Sequence, residues 1–256
     1  MEIDRCKVPP VFEPSGSPPL CQKETVFRQK ALIAAIVATA TQWMPLATVA
    51  DELECSDPLL SVESKTNADG LRVCEAAVKA KSFLANCGIE QTQPITIELR
   101  DKIVGVSDHC AGVYFPGTNH VALVAPSLVS GMMPLDSAFS TLEADVFFDS
   151  LLVHELAHAF TEQRNANALK CSADSEYIAY ALQIESLPHS DRETVLSFRE
   201  VKRPVPEQKL NDFVLGFSPD MFGVLAWSHF SSPDNGCRFI NELINGNVTL
   251  ALPDLE

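Results

Sequence analysis

The sequence predicts an α+β fold, a small mixed sheet followed by a largely helical second half, and three observations predict it. Segments with strand character, at 94–99, 111–115 and 120–124, lie in the first half. Segments with helical spacing and helix-start signals dominate after residue 140. Between them, residues 147–185 hold an apolar, helix-compatible run that contains His154-Glu155-Leu156-Ala157-His158.

Taken in order, residues 1–25 are rich in proline and polar side chains and show no period. That composition reads as a disordered or spurious extension. Residues 26–50 carry Arg28 and Lys30, then an apolar stretch, then Thr48-Val49-Ala50. A short basic segment, an apolar stretch and a small-residue end form a secretory signal peptide. Such a signal belongs at a chain's start, so the expected translation start is Val26 rather than Met1. The stretch is rich in Ala and Thr and carries Gln42 and Pro45, which makes it a poor permanent span. The expected mature domain is therefore 51–256, periplasmic or secreted, with no stable membrane span after signal cleavage.

That domain keeps six cysteines, Cys55, Cys74, Cys87, Cys110, Cys171 and Cys237, enough for three disulfides in an oxidising compartment. Acidic residues outnumber basic ones 34 to 19 and no basic cluster occurs, which argues against nucleic acid or an anionic membrane surface as partner.

Residues 51–66 show no clear period. From 69 to 86, Leu71, Val73, Ala76, Ala77, Ala80, Phe83 and Leu84 have helical spacing, with a stop at Asn86-Cys87-Gly88. Residues 94–99 alternate as a strand. The two apolar runs that follow, joined by Pro116-Gly117-Thr118-Asn119, read as a hairpin. His109 and His120 are lone histidines near the sheet, of the kind usually found at a surface or in a structural hydrogen bond. Beyond the motif helix, a second helical pattern starts at Ser172 and stops at Leu187-Pro188. Ser190-Asp191-Arg192-Glu193 has the form of a capping box. Residues 202–208 read as a loop, Ser218-Pro219-Asp220 starts a helix through Phe230, and 239–244 is a last amphipathic piece.

The motif carries the chemistry. Residues four apart on a helix lie about 40° apart around the axis and roughly 6 Å along it, so His154 and His158 can hold one Zn²⁺ from the same face. Glu155 lies about 100° round, beside such an ion rather than on it, where a carboxylate can take a proton from water. Two His and a Glu in a buried helix would be costly without a partner such as a metal. Glu176, near the start of the second helical pattern, is a candidate third ligand; Asp174 and Glu162 are the other carboxylates within reach.

Across 147–185 the chain resembles the gluzincin zinc metallopeptidases, which pair an H-E-x-x-H helix with a glutamate helix. The metzincin pattern fails, because its Gly and third His positions are occupied here by Thr161 and Arg164. The resemblance implies a zincin-like fold with the sheet over the motif helix, ligands His154, His158 and Glu176, and Glu155 as general base. It implies that Ala179 is small so that the two helices pack closely. It also implies an edge strand that pairs with extended substrate, which falls on Val121, Ala122 and Leu123. Gluzincins place a His or Tyr to steady the oxygen that gains charge. His229 is the expected donor, with Tyr180, also expected to touch substrate, and Tyr177 behind it. The function implied is zinc-dependent hydrolysis of peptide bonds in a peptide or protein substrate. The alternative is a catalytically inactive zinc-binding or scaffold protein of the cell envelope. Glu155 weighs against it, since a purely structural metal site does not need that base.

Overall fold

The structure, a computed structural model, describes residues 51–104, 110–165, 169 and 172–251. The extension and signal peptide expected over 1–50, His109 and Cys171 lie outside these residues. The described chain is α+β, with a mixed five-stranded sheet.

Two strands open it, β1 (Asp51–Glu54) and β2 (Leu60–Ser64), paired antiparallel. The sequence did not announce them. β1 is nearly all acidic, and the inward positions of β2 are Leu60, Val62 and the polar Ser64, which is 3 % exposed. Ser64 tolerates burial because its hydroxyl donates to the Thr66 carbonyl at 2.6 Å. Tertiary pairing, not propensity, makes these strands.

Helix α1 (Asn67–Ala85) starts where Thr66 accepts from the Asp69 amide and turns out of the helix at Gly88, whose φ of +72° favours glycine. It buries Val73, Ala77, Ala80 and Leu84. Strand β3 (Ile95–Arg100) runs parallel to β2, and α1 is the crossover between them. Its Ile95, Ile97 and Leu99 point into the core. The expected hairpin forms as β4 (Gly112–Phe115) and β5 (His120–Val124).

The sheet order, β1-β2-β3-β5-β4, corrects the expected substrate edge. β5 is parallel to β3 on one side and antiparallel to β4 on the other, and Val121, Ala122 and Leu123 are fully buried. Both of its backbone edges are used, so it cannot accept another strand. The outer strand on this side is β4.

Helix α2 (Ala144–Asn165) carries the motif and packs against β4, β5, α1 and α3 (Ser172–Ser186). Helix α4 (His189–Ser197) begins one residue before the expected capping box and has no side-chain cap. Its Arg192 is used elsewhere: it donates to Glu185 Oε2 at 2.9 Å and to the Leu187 carbonyl at 3.1 Å. An unanticipated helix, α5 (Asp212–Phe217), is capped by Asn211, and Asp212 accepts from the Ala173 amide at 2.7 Å, fixing the start of α3. Helix α6 (Pro219–Phe230) starts as expected, with Ser218 as cap and Pro at its first turn. It packs along α3, and a Cβ on Gly223 would come 3.0 Å from Tyr180 Cδ1, so glycine allows that close approach. Helix α7 (Gly236–Ile244) closes the core.

Disulfides join Cys55 to Cys74 and Cys87 to Cys237, and Cys110 is disulfide-bonded as well. Among the described residues no helix is long and apolar enough to cross a membrane.

Candidate metal centre

The two middle turns of α2 and the second turn of α3 meet at His154, His158 and Glu176. His154 Nε2 lies 3.1 Å from His158 Nε2 and 3.4 Å from Glu176 Oε2, and His158 Nε2 lies 3.8 Å from Glu176 Oε1. The three side chains could hold a metal ion. His154 is buried, and His158 and Glu176 are partly open, so the group has a dry side and an accessible side.

Each imidazole is held from behind by its other nitrogen. His154 Nδ1 is 3.0 Å from Gln183 Oε1, and His158 Nδ1 is 2.7 Å from Ser175 Oγ. Partners of this kind fix ring orientation, with each Nε2 turned toward Glu176. In the metal-free protein, burial lowers His158 to about 4, with Glu176 opposing and His154 adding to the shift. Its ring is therefore neutral at physiological pH, the form that binds metal. Burial also works against charge on His154, but hydrogen bonding and charge from Glu176 outweigh it and leave that pKa raised.

Glu155 is 5 % exposed and sits beside the group. Burial pushes its carboxyl up to about 7; the charge of His154 opposes and that of Glu176 adds. The Tyr114 backbone N–H of β4 favours its charged form. β4 therefore lies directly over the carboxylate, and a Cβ at 112 would come 2.9 Å from Glu155 Oε1 and 2.8 Å from Leu123 Cδ2, so any larger residue there must push one of these side chains aside.

The remaining expectations divide. Tyr180 is at the site, its ring edge-on to that of His154 with centroids 4.7 Å apart. His229 is not with this group. Its Nδ1 is 2.8 Å from the Tyr177 hydroxyl and its ring packs against Phe239, in a buried cluster between α3, α6 and α7. Burial lowers the His229 pKa and raises that of Tyr177, as expected of a structural pair. Asp174 is 1 % exposed and accepts from the Leu250 amide at 2.6 Å and the Thr249 hydroxyl at 3.0 Å, so it ties down the C-terminal segment. Glu162 accepts from the Gly117 amide at 2.6 Å and steadies the β4–β5 turn. His120 pairs with Glu98 at 3.2 Å, in the sheet.

Sequence reasoning missed Gln183, Ser175, Ser150 and Gly112. One signal was available: Gln183 is seven residues after Glu176, so it shares that helix face. Nothing local marks Gly112.

Fold and site together define an α+β protein with a two-histidine, one-glutamate candidate metal centre and a buried glutamate beside it. The chain belongs to DUF6639, a family of unknown function, whose profile matches residues 60–253. No curated protein and no solved structure matches it.

Proposed function

We propose that the protein is an exported zinc-dependent metallopeptidase of gluzincin-like fold. The observation that carries this reading is the convergence of two imidazole nitrogens, 3.1 Å apart, on the Glu176 carboxylate, whose Oε2 lies 3.4 Å from His154 Nε2 and whose Oε1 lies 3.8 Å from His158 Nε2. A tetrahedral zinc site with bonds near 2.05 Å has ligand atoms about 3.3 Å apart, so the residues fit the ion. Glu155 beside the group supports a hydrolytic site over a purely structural one, which has no use for a base there.

Zinc bound there supplies Lewis acidity toward a carbonyl oxygen and brings the pKa of water toward neutrality. Glu155 accepts a proton from water as the water oxygen bonds to the peptide carbon. It then passes that proton to the leaving nitrogen as the C–N bond breaks, and the remaining proton of the attacking water follows to the amine, giving a carboxylate and an ammonium. Tyr180, beside His154, is the hydrogen-bond donor for the carbonyl oxygen as that oxygen gains charge. Extended substrate lies along β4, whose inner edge pairs with β5; among the described residues no strand covers its outer edge. The disulfides fit the oxidising compartment to which a signal peptide at 26–50 would deliver the chain.

The test is metal content by elemental mass spectrometry of residues 51–256, with cleavage of a broad fluorogenic peptide library. The expected result is about one zinc per chain, lost in Glu176→Ala, with cleavage abolished in a zinc-loaded Glu155→Gln. A wild type that takes up no zinc after reconstitution sinks the proposal. Zinc without any cleavage leaves the inactive binding module instead.

A further inference from the structure

We infer that Ser150 and Gln183 form a neutral relay that holds the proton of His154 on Nδ1, keeping Nε2 bare for a metal. The inference deepens the proposed metal site and rests on it.

The relay starts at a backbone carbonyl. The Ser150 hydroxyl is 2.8 Å from the Phe147 carbonyl oxygen, a group that can only accept. With its hydrogen directed there, Ser150 Oγ serves as acceptor for the Gln183 amide nitrogen, 3.4 Å away. The amide is thereby turned with its oxygen toward His154 Nδ1, at 3.0 Å. An amide oxygen only accepts, so Nδ1 carries the hydrogen and the lone pair is left on Nε2. Ser150 and Gln183 are each 2 % exposed, so water does not compete for these bonds.

The device has something to oppose. The Glu176 carboxylate is 3.4 Å from His154 Nε2. Without a fixed acceptor at Nδ1, that negative charge draws the imidazole proton to Nε2, where it blocks ligation. His158 is set up differently. Its Nδ1 meets the Ser175 hydroxyl at 2.7 Å, a group that can donate or accept, so no tautomer is imposed. The relay thus acts on the more buried of the two histidines.

The test uses ¹⁵N-histidine-labelled protein, metal-free and at mildly alkaline pH, with ring ¹H–¹⁵N correlations to read the tautomer and competition with a chelator to read zinc affinity. Wild-type His154 should carry its proton on Nδ1. Gln183→Leu should move it to Nε2 and weaken zinc binding by about 10- to 100-fold. Gln183→Glu keeps an acceptor oxygen and should keep the Nδ1–H form and the affinity. Ser150→Ala touches no ligand, yet frees the amide to turn over and should shift the tautomer part way. An unchanged tautomer in both Gln183→Leu and Ser150→Ala overturns the relay. So does equal loss in Gln183→Glu and Gln183→Leu, which would make the effect one of packing. A wild type with the Nδ1–H form that binds no zinc upholds the relay and removes the proposed function instead.

Discussion

Gly112 on β4 and Glu155 on α2 are in such close apposition that a single Cβ at 112 would lie 2.9 Å from Glu155 Oε1 and 3.1 Å from its Cγ. The strand proposed to guide substrate and the carboxylate proposed to move protons are therefore set against each other by a missing side chain. Gly112→Ala should displace one of them. The same Cβ would meet Leu123 Cδ2 at 2.8 Å, so stability should fall too, by about 1–3 kcal/mol. Peptide cleavage should drop at least tenfold with zinc content unchanged, checked by elemental analysis beside steady-state kinetics. Full activity in this variant would mean that the strand and the carboxylate tolerate separation.

Tyr180 and His229 should behave oppositely. Tyr180 touches the His154 ring, whereas His229 is sequestered with Tyr177. Tyr180→Phe should lower kcat on the order of 10²-fold with KM and zinc retained. His229→Phe leaves the Tyr177 hydroxyl buried without its partner and should cost about 1–3 kcal/mol in stability while sparing kcat. Thermal melts and kinetics on both variants decide the matter; a kcat loss confined to His229→Phe would reverse the assignment.

Asp174 separates a structural carboxylate from a ligand. Its loss strands the Leu250 amide and Thr249 hydroxyl that it accepts from. Asp174→Ala should lower the melting temperature and leave zinc stoichiometry intact, whereas Glu176→Ala should lose zinc. Zinc loss in Asp174→Ala with wild-type stability would name the wrong third ligand.

The disulfide between Cys87 and Cys237 spans 150 residues and ties the end of α1 to α7. Close by, Arg164 at the end of α2 donates to the Gly88 carbonyl at 2.9 Å and to Asn241 Oδ1 at 2.7 Å. Replacing both cysteines by alanine should cost about 2–5 kcal/mol in denaturant unfolding. A midpoint that does not move would show that the hydrogen bonds alone hold this corner.

Asp57 gives a pH signature away from the metal group. Its hydrogen bond from Lys81, then that from the Leu59 amide, hold its pKa below the ordinary 3.8. A carboxyl depressed on folding stabilises the native state above its unfolded pKa, and that contribution disappears as pH falls through the folded value. Asp57→Asn should therefore be less stable than wild type at neutral pH, with the gap closing in acid. Parallel melting curves down the acid range would disprove the linkage.

Local pattern alone determined much of this chain. The motif spacing on α2, the apolar face of α1, the alternation of β3, the turn between β4 and β5 and the Ser218 cap of α6 are all set by neighbours within a few residues, and helical period, alternation and capping report such neighbours directly. Tertiary structure decided the rest. Strand order made β4 rather than β5 the edge, because pairing joins residues far apart in sequence. β1 and β2 formed with little local preference because β3 and α1 were there to receive them. Gln183 met His154 across 29 residues, Gly112 came to lie over Glu155, and His229 turned to Tyr177 across 52. Each depends on how one helix packs against another element, and helical period fixes the face a residue occupies but not what that face will meet.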